Sequence, residues 1–179
     1  GGPTIIKQYP EKFEITRQRK SFLSCAFPET QEKESVYAFS LNKQLCFSML
    51  VTRDSELYAI VIISHHCFPY LFIEFLKSCK KTFTIDPPEE IFDAIVVFLS
   101  QWKYDAATTQ ISVVYPTINF STMLDANHTF YMQYDPSVVI SSDANVLYDI
   151  WKSLIIGSGV LFIGETAEQV SIAVFASLS

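Results

Sequence analysis

Positive charge is in short supply: 13 Lys and Arg stand against 19 Asp and Glu, leaving a net charge of −6. That balance argues against nucleic acid as a partner and against broad attraction to an anionic membrane. Long apolar runs are missing as well. No segment reaches the ~20 residues of a transmembrane helix, and no secretory signal is visible at the N-terminus. Cysteine is sparse. Cys25, Cys46, Cys67 and Cys79 lie far apart, with no C-x-x-C pair and no metal-ligand spacing. Each falls in an apolar run, which favours free thiols in a reducing cytosol. Internal repeats and low-complexity tracts are absent too, which excludes solenoids and linker-like chains. The sequons at Asn119 and Asn127 read as chance matches, since nothing else points to secretion.

What is present is apolar and aromatic. Of 179 residues, 49% are hydrophobic, including 15 Phe, 9 Tyr and 2 Trp, enough for one real core, or one domain with an appendage. The stretch from Leu57 to Cys79 anchors the reading. Leu57, Ala59, Ile60, Val61, Ile62 and Ile63 form a largely β-branched run that is apolar at both parities. A central strand covered on both faces is expected there. Pro69 suits the first turn of a helix. Phe68, Leu71, Phe72, Phe75, Leu76 and Cys79 then recur at helical spacing as one apolar stripe.

In chain order, residues 3–9 read as a short strand closed by Pro10, and Glu11 to Lys20 as a loop or short helix. Ser21 to Phe27 reads as a second apolar strand. Val36–Leu41 and Leu45–Thr52 follow as strands divided by a turn at Asn42-Lys43, with Arg53 to Glu56 turning into the central strand. A second helix starts after Asp86-Pro87-Pro88 and buries Ile91, Phe92, Ile95, Phe98, Leu99 and Trp102. Thr109 to Tyr115 reads as a strand stopped by Pro116, and Ile118 to Tyr134 as irregular or strand-like. A composition shift near residue 141 marks the expected boundary between residues 1–140 and 141–179. Beyond it, Ser141-Ser142-Asp143 caps a helix carrying Val146, Leu147, Ile150, Trp151, Leu154 and Ile155. Gly157-Ser-Gly159 ends that helix, Val160–Ile163 forms a short apolar strand, and the capping box Thr166-Ala-Glu-Gln169 opens a final helix. The fold class is therefore α+β: an antiparallel sheet between helices, followed by an α/β helix–strand–helix tail.

No enzyme constellation stands out. His65-His66 beside Cys67 lacks a third and fourth metal ligand, so a structural role is preferred. His128 stands alone in a polar stretch. Gly157, Gly159 and Gly164 do not follow a strand and open a helix, as a dinucleotide fingerprint requires. Asp86, Glu89, Glu90 and Asp93 read as a helix start complementing the dipole. Ser121 and Ser158 have no Asp–His partners in view. Catalytic, cofactor and metal residues are thus expected to be none, with one candidate kept: Arg53. Its tight turn points side chains into water, where a guanidinium can reach a phosphate or carboxylate. The plainer reading is that it solvates the hairpin.

Three stretches together resemble the DENN family. SFLSCAFPET (21–30) is similar to the strand-to-FPD signature of that family's upstream lobe, with Glu29 where Asp is usual. CFSMLVTRDSELYAIVIIS (46–64) and the Phe-rich helix after it resemble the lobe's paired strands, Arg-containing turn and helix. LYDIWKSLIIGSGVLFIGETAEQVSIAVFASLS (147–179) resembles the opening of the central DENN region. The resemblance implies a longin-like lobe over residues 1–140 and the truncated beginning of the central region over 141–179. The usual first strand of the lobe is missing and the central region is only begun at Ser179, so the expectation is a fragment of a larger protein.

The function implied is regulation of a Rab-type small GTPase in vesicle trafficking, as a guanine-nucleotide exchange factor module or a fragment of one. Such a factor acts by binding, without bond-making chemistry or a cofactor. Two alternatives accompany it. One is a folliculin-like GTPase-activating lobe using a longin-lobe arginine; the other is a non-catalytic adaptor lobe. The expected location is cytoplasmic, with peripheral recruitment to endomembranes, and the tail is expected either to dock back on the longin-like body or to pair with a protein partner.

Overall fold

A computed structural model describes residues 2–13, 19–28, 34–65, 68–83, 86–101, 110–115, 118–123 and 144–177. Helix α1 (Arg19–Ala26) precedes three strands, β1 (Ser35–Leu41), β2 (Gln44–Arg53) and β3 (Glu56–Ser64). Helices α2 (Pro69–Thr82) and α3 (Pro88–Gln101) follow, then a separate two-stranded ribbon of β4 (Gln110–Tyr115) and β5 (Ile118–Met123). Helices α4 (Ala144–Ile155) and α5 (Ala167–Ser177) complete the described chain. The fold is α+β, with an antiparallel meander ordered β1-β2-β3 and helices flanking it.

Both meander turns are two-residue hairpins. Asn42 and Lys43 have φ of 52° and 62°, and Asp54 and Ser55 have 49° and 66°. Positive φ at both central positions gives a turn whose twist matches that of the strands. Asn and Asp tolerate it better than other residues, whereas Lys43 and Ser55 occupy it at a cost.

The hydrophobic runs sort onto two faces by the period of two. On one face, Val36, Phe47, Met49, Val51, Ile60 and Ile62 form a core with the stripe of α2 and with Ile91, Ala94, Ile95 and Phe98 of α3. Phe47 stacks on Phe72 with ring centroids 4.8 Å apart, and Phe75 meets Phe98 at 4.2 Å. On the other face, α1 lies against Tyr37 and Phe39. The Tyr37 hydroxyl has the carbonyls of Cys25 and Ala26 in donating range at 3.0 and 2.8 Å, and Phe22 packs edge-on to Phe39.

The helix starts follow their sequence signals. Pro69 begins α2, which ends with Lys80 and Lys81 at the negative end of its dipole. Pro88 begins α3, with Glu89 and Glu90 in the first turn. At the end of α4, Gly157 (φ 72°) donates to Leu154 at 3.2 Å and Ser158 donates to Ser153 at 2.8 Å, the paired bonds of a Schellman cap. The Thr166 hydroxyl accepts the Gln169 N–H at 3.1 Å and opens α5.

Several expectations are corrected. The expected strand at Ser21–Phe27 is replaced by helix over Ser21–Ala26, most of α1, because Phe22 and Ala26, one helical turn apart, are the positions that reach the sheet. Residues 3–9 form no strand. They run beside α3, where Lys7 pairs with Asp93 at 2.6 Å and lies over the Phe92 ring. The central strand is β2, whose residues Cys46–Val51 are buried at both parities; β3 is an edge, with Leu57 42% exposed. The apolar strand expected at Val160–Ile163 is not formed. It has no ladder partner among the described residues, and Leu161 and Ile163 are 84% and 87% exposed. Trp102, Pro116 and Ser141 to Asp143 lie outside the described residues.

Helix α5 packs back on the meander. Ser171, Phe175 and Ala176 are buried, the last two within the core of α2 and β2. Lys77 of α2 bridges to Glu168 of α5 at 3.2 Å. No helix among the described residues is long and apolar enough to cross a membrane.

Candidate functional site

Arg53 closes β2 at the tip of the second hairpin. Its position in the alternation puts it on the α2/α3 face, beside Glu56 and Tyr58 of β3. Instead of reaching freely into water, its guanidinium donates a short hydrogen bond to the Asp86 carbonyl, and its Nε lies 3.6 Å from the Asp54 carboxylate. The side chain is 28% exposed. Asp86 precedes Pro87-Pro88, so this contact ties the hairpin tip to the entrance of α3.

The surroundings are acidic. The Tyr58 hydroxyl donates to Glu56 at 2.7 Å, and that bond, with the charges of Glu56, Glu89 and Asp54, holds the phenol above its ordinary pKa. An anionic phosphate approaching this corner would meet the same carboxylates. The tip therefore has the character of a structural clasp with an acidic rim.

The remaining sequence candidates do not converge. His65 lies 3.3 Å from the Gln44 amide across the open end of the β2–β3 ladder, and His66, Cys67, His128 and Trp102 fall outside the described residues. Among the described residues no group of three or more His, Cys, Asp or Glu is placed to hold a metal ion. Asp93 is paired with Lys7, and Glu89 and Glu90 are exposed at the start of α3. Ser158 serves the cap of α4, and Ser121 sits in β5.

The buried thiols are free and protonated. Burial pushes Cys46 to about 11 and Cys79 to about 12 from an ordinary 9.0. A thiol so displaced supplies little thiolate at neutral pH and is a poor nucleophile. Burial likewise raises Tyr37 to about 12. A shallow concavity lined by Ile5, Ile6, Lys7, Gln8 and Arg19 brings together no acid–base or nucleophile pair.

Apolar surface is the larger feature. Val146, Tyr148, Trp151, Leu154 and Ile155 of α4 are exposed, and Ile156, Leu161 and Ile163 extend the stretch. Periodicity identifies α4 as amphipathic, but it does not reveal that these five residues of the helix stay exposed. The protein-family models, the curated proteins and the solved structures compared with this chain contain no match to it.

Proposed function

We propose that the chain is a regulatory lobe for a Rab-type small GTPase, acting by binding, with nucleotide exchange as its activity in the setting of a larger module. The observation that carries this reading is the order of elements: an antiparallel meander running directly into α2, with α1 on one face and α2 and α3 on the other. A sheet between helices is what the DENN resemblance implies for the upstream lobe. The hairpin and Phe-rich helix support it, while the helical Ser21–Ala26 departs from the expected strand.

Between exchange and activation of hydrolysis, the state of Arg53 favours exchange. An arginine finger must lend its charge to a transferring phosphoryl group. Arg53 has already committed that charge to the Asp86 carbonyl and stands beside Asp54. An exchange factor needs no such group. It holds the nucleotide-free GTPase more tightly than the loaded form, and by linkage nucleotide affinity falls by the same factor. The exposed apolar surface of α4 and residues 156–163 is where we place the protein contact of the tail, with recruitment to endomembranes through that complex.

The test is nucleotide kinetics over a panel of Rab GTPases. Faster GDP release, or selective capture of the nucleotide-free form, supports the reading. Faster hydrolysis favours the arginine-finger alternative, and binding indifferent to nucleotide favours an adaptor.

A further inference from the structure

The two edges of the meander are treated differently. In a two-residue hairpin the residues flanking the turn form a hydrogen-bonded pair, and bonded and non-bonded pairs alternate from there. On the first hairpin this turns the backbone groups of Ala38 away from β2, and Ser171 of α5 meets them there. On the second hairpin the same alternation turns the N–H and C=O of Leu57, Ala59, Val61 and Ile63 outward. Among the described residues no hydrogen bond reaches these groups.

Among the described residues this edge carries none of the features that keep strands apart. Strand β3 is nine residues long, has no Pro, Lys or Arg, and bears its one charge, Glu56, at the turn. The same four residues place their side chains on the α1-side face. Leu57 is exposed there and Ala59, Val61 and Ile63 are half-buried, so an apolar strip runs beside the free backbone.

We propose that a second copy of this chain occupies the edge, β3 against β3 in antiparallel register, joining two meanders into one sheet across a two-fold axis. The pairing is self-complementary. With the axis at Ile60, Leu57 faces Ile63 of the partner subunit and Ala59 faces Val61 of the partner subunit, and the reciprocal pairs follow. Every outward group then meets an outward group, for about eight interchain backbone bonds. Charge does not oppose this register: no ionisable side chain but Tyr58 lies between Leu57 and Ser64, and Glu56 falls opposite Ser64 of the partner subunit. The net charge of −6 is carried elsewhere and is screened beyond roughly 10 Å at 0.1 M salt. Joined strands and strips withdraw on the order of 1,000 Å² from water, the lower limit for a specific interface. A dimer in the micromolar range is expected, since area at that limit leaves little surplus over the entropy of association.

Sedimentation velocity over about 1–200 μM tests this, together with hydrogen exchange at both ends of the range. The expected result is a monomer–dimer equilibrium in which the amides of Leu57, Ala59, Val61 and Ile63 gain protection as dimer forms. Ala59→Pro removes an outward N–H that the β2 ladder does not use, and Val61→Lys places a charge on the joined strip. Each should weaken association at least about tenfold with unchanged circular dichroism. Should Ala59→Pro misfold, Val61→Lys carries the test. A dimer unaffected by Val61→Lys, or one whose four amides exchange at the same rate at every concentration, overturns the proposal in favour of the α4 surface. A chain that stays monomeric throughout overturns it as well and leaves the edge to a strand of another protein.

Discussion

Ser171 closes the outer edge of the sheet at Ala38: its hydroxyl accepts the Ala38 N–H at 2.9 Å and has the Ala38 carbonyl within 3.1 Å. The hydroxyl proton also has the Ala167 carbonyl at 2.8 Å, so the serine is held from its own helix while it serves the strand. The two residues are 133 positions apart in the chain. This contact joins the last described helix to the first strand of the meander.

Ser171→Ala should therefore cost more than a surface serine. It leaves a part-buried N–H without its acceptor, a loss of about 1 kcal/mol. Urea unfolding should show a lower midpoint at unchanged slope, and hydrogen exchange should show the Ala38 amide losing protection first. An unchanged midpoint would mean that water replaces the hydroxyl and that the edge is wetter than the burial of Ser171 implies.

The hairpin turns offer the opposite sign. Lys43 and Ser55 hold left-handed backbone that glycine adopts without strain. Lys43→Gly and Ser55→Gly should each raise stability by about 0.5–1 kcal/mol, net of the entropy glycine adds to the unfolded chain. Lys43→Val should lower it, because a β-branched residue fits that conformation worst. Chemical denaturation of the three variants side by side decides the matter.

Alkaline pH should destabilise the fold through its buried thiols. The folded values of Cys46 and Cys79, about 11 and 12, lie above the ordinary 9.0. Their contribution is complete below pH 9 and is lost as pH rises towards the folded values, since the unfolded chain then releases protons that the native state retains. Denaturant midpoints should fall between pH 9 and 11, with a limiting slope of roughly 1 kcal/mol per pH unit for each thiol. Cys79→Ala should flatten that dependence while lowering stability at pH 7; a profile as steep as the parent's would assign the effect to other groups.

Arg53→Ala should loosen the clasp between the hairpin tip and α3. The bond to the Asp86 carbonyl is charge-assisted but partly exposed, so a loss of about 1 kcal/mol is expected. Arg53→Lys should recover part of it, keeping the charge without the planar fork. Neither variant should alter GTP hydrolysis by a GTPase bound as proposed. A fall of about 10³-fold or more, with binding intact, would instead make Arg53 a finger that leaves its clasp in the complex.

Local chemistry made much of the fold readable. Paired two-residue turns between apolar strands, Pro at the first turns of α2 and α3, the stripe from Phe68 to Cys79, Gly157 and Thr166 are short-range signals, and the elements they mark are present. Their physics is contained within a few residues, in backbone dihedrals, missing donors and helical spacing. Ser21–Phe27 and Val160–Ile163 went the other way. A short apolar run is compatible with helix or strand, and the choice falls to what lies opposite. For Phe22 and Ala26 that was a sheet face suited to a helix, and for Leu161 and Ile163 no pairing strand is at hand among the described residues. Arg53 shows the same limit at the candidate site. The sequence marks it as a turn arginine beside Asp54, yet its principal partner is a backbone carbonyl 33 positions away. Hydrogen bonds between distant segments depend on how the layers pack, and nothing in the neighbourhood of either residue encodes them. Ser171 and Ala38 are alike in this. The chain's own chemistry specifies an amphipathic helix and a β-strand; the packed layers alone bring the hydroxyl to the edge that it closes and, among the described residues, leave β3 open on the other side.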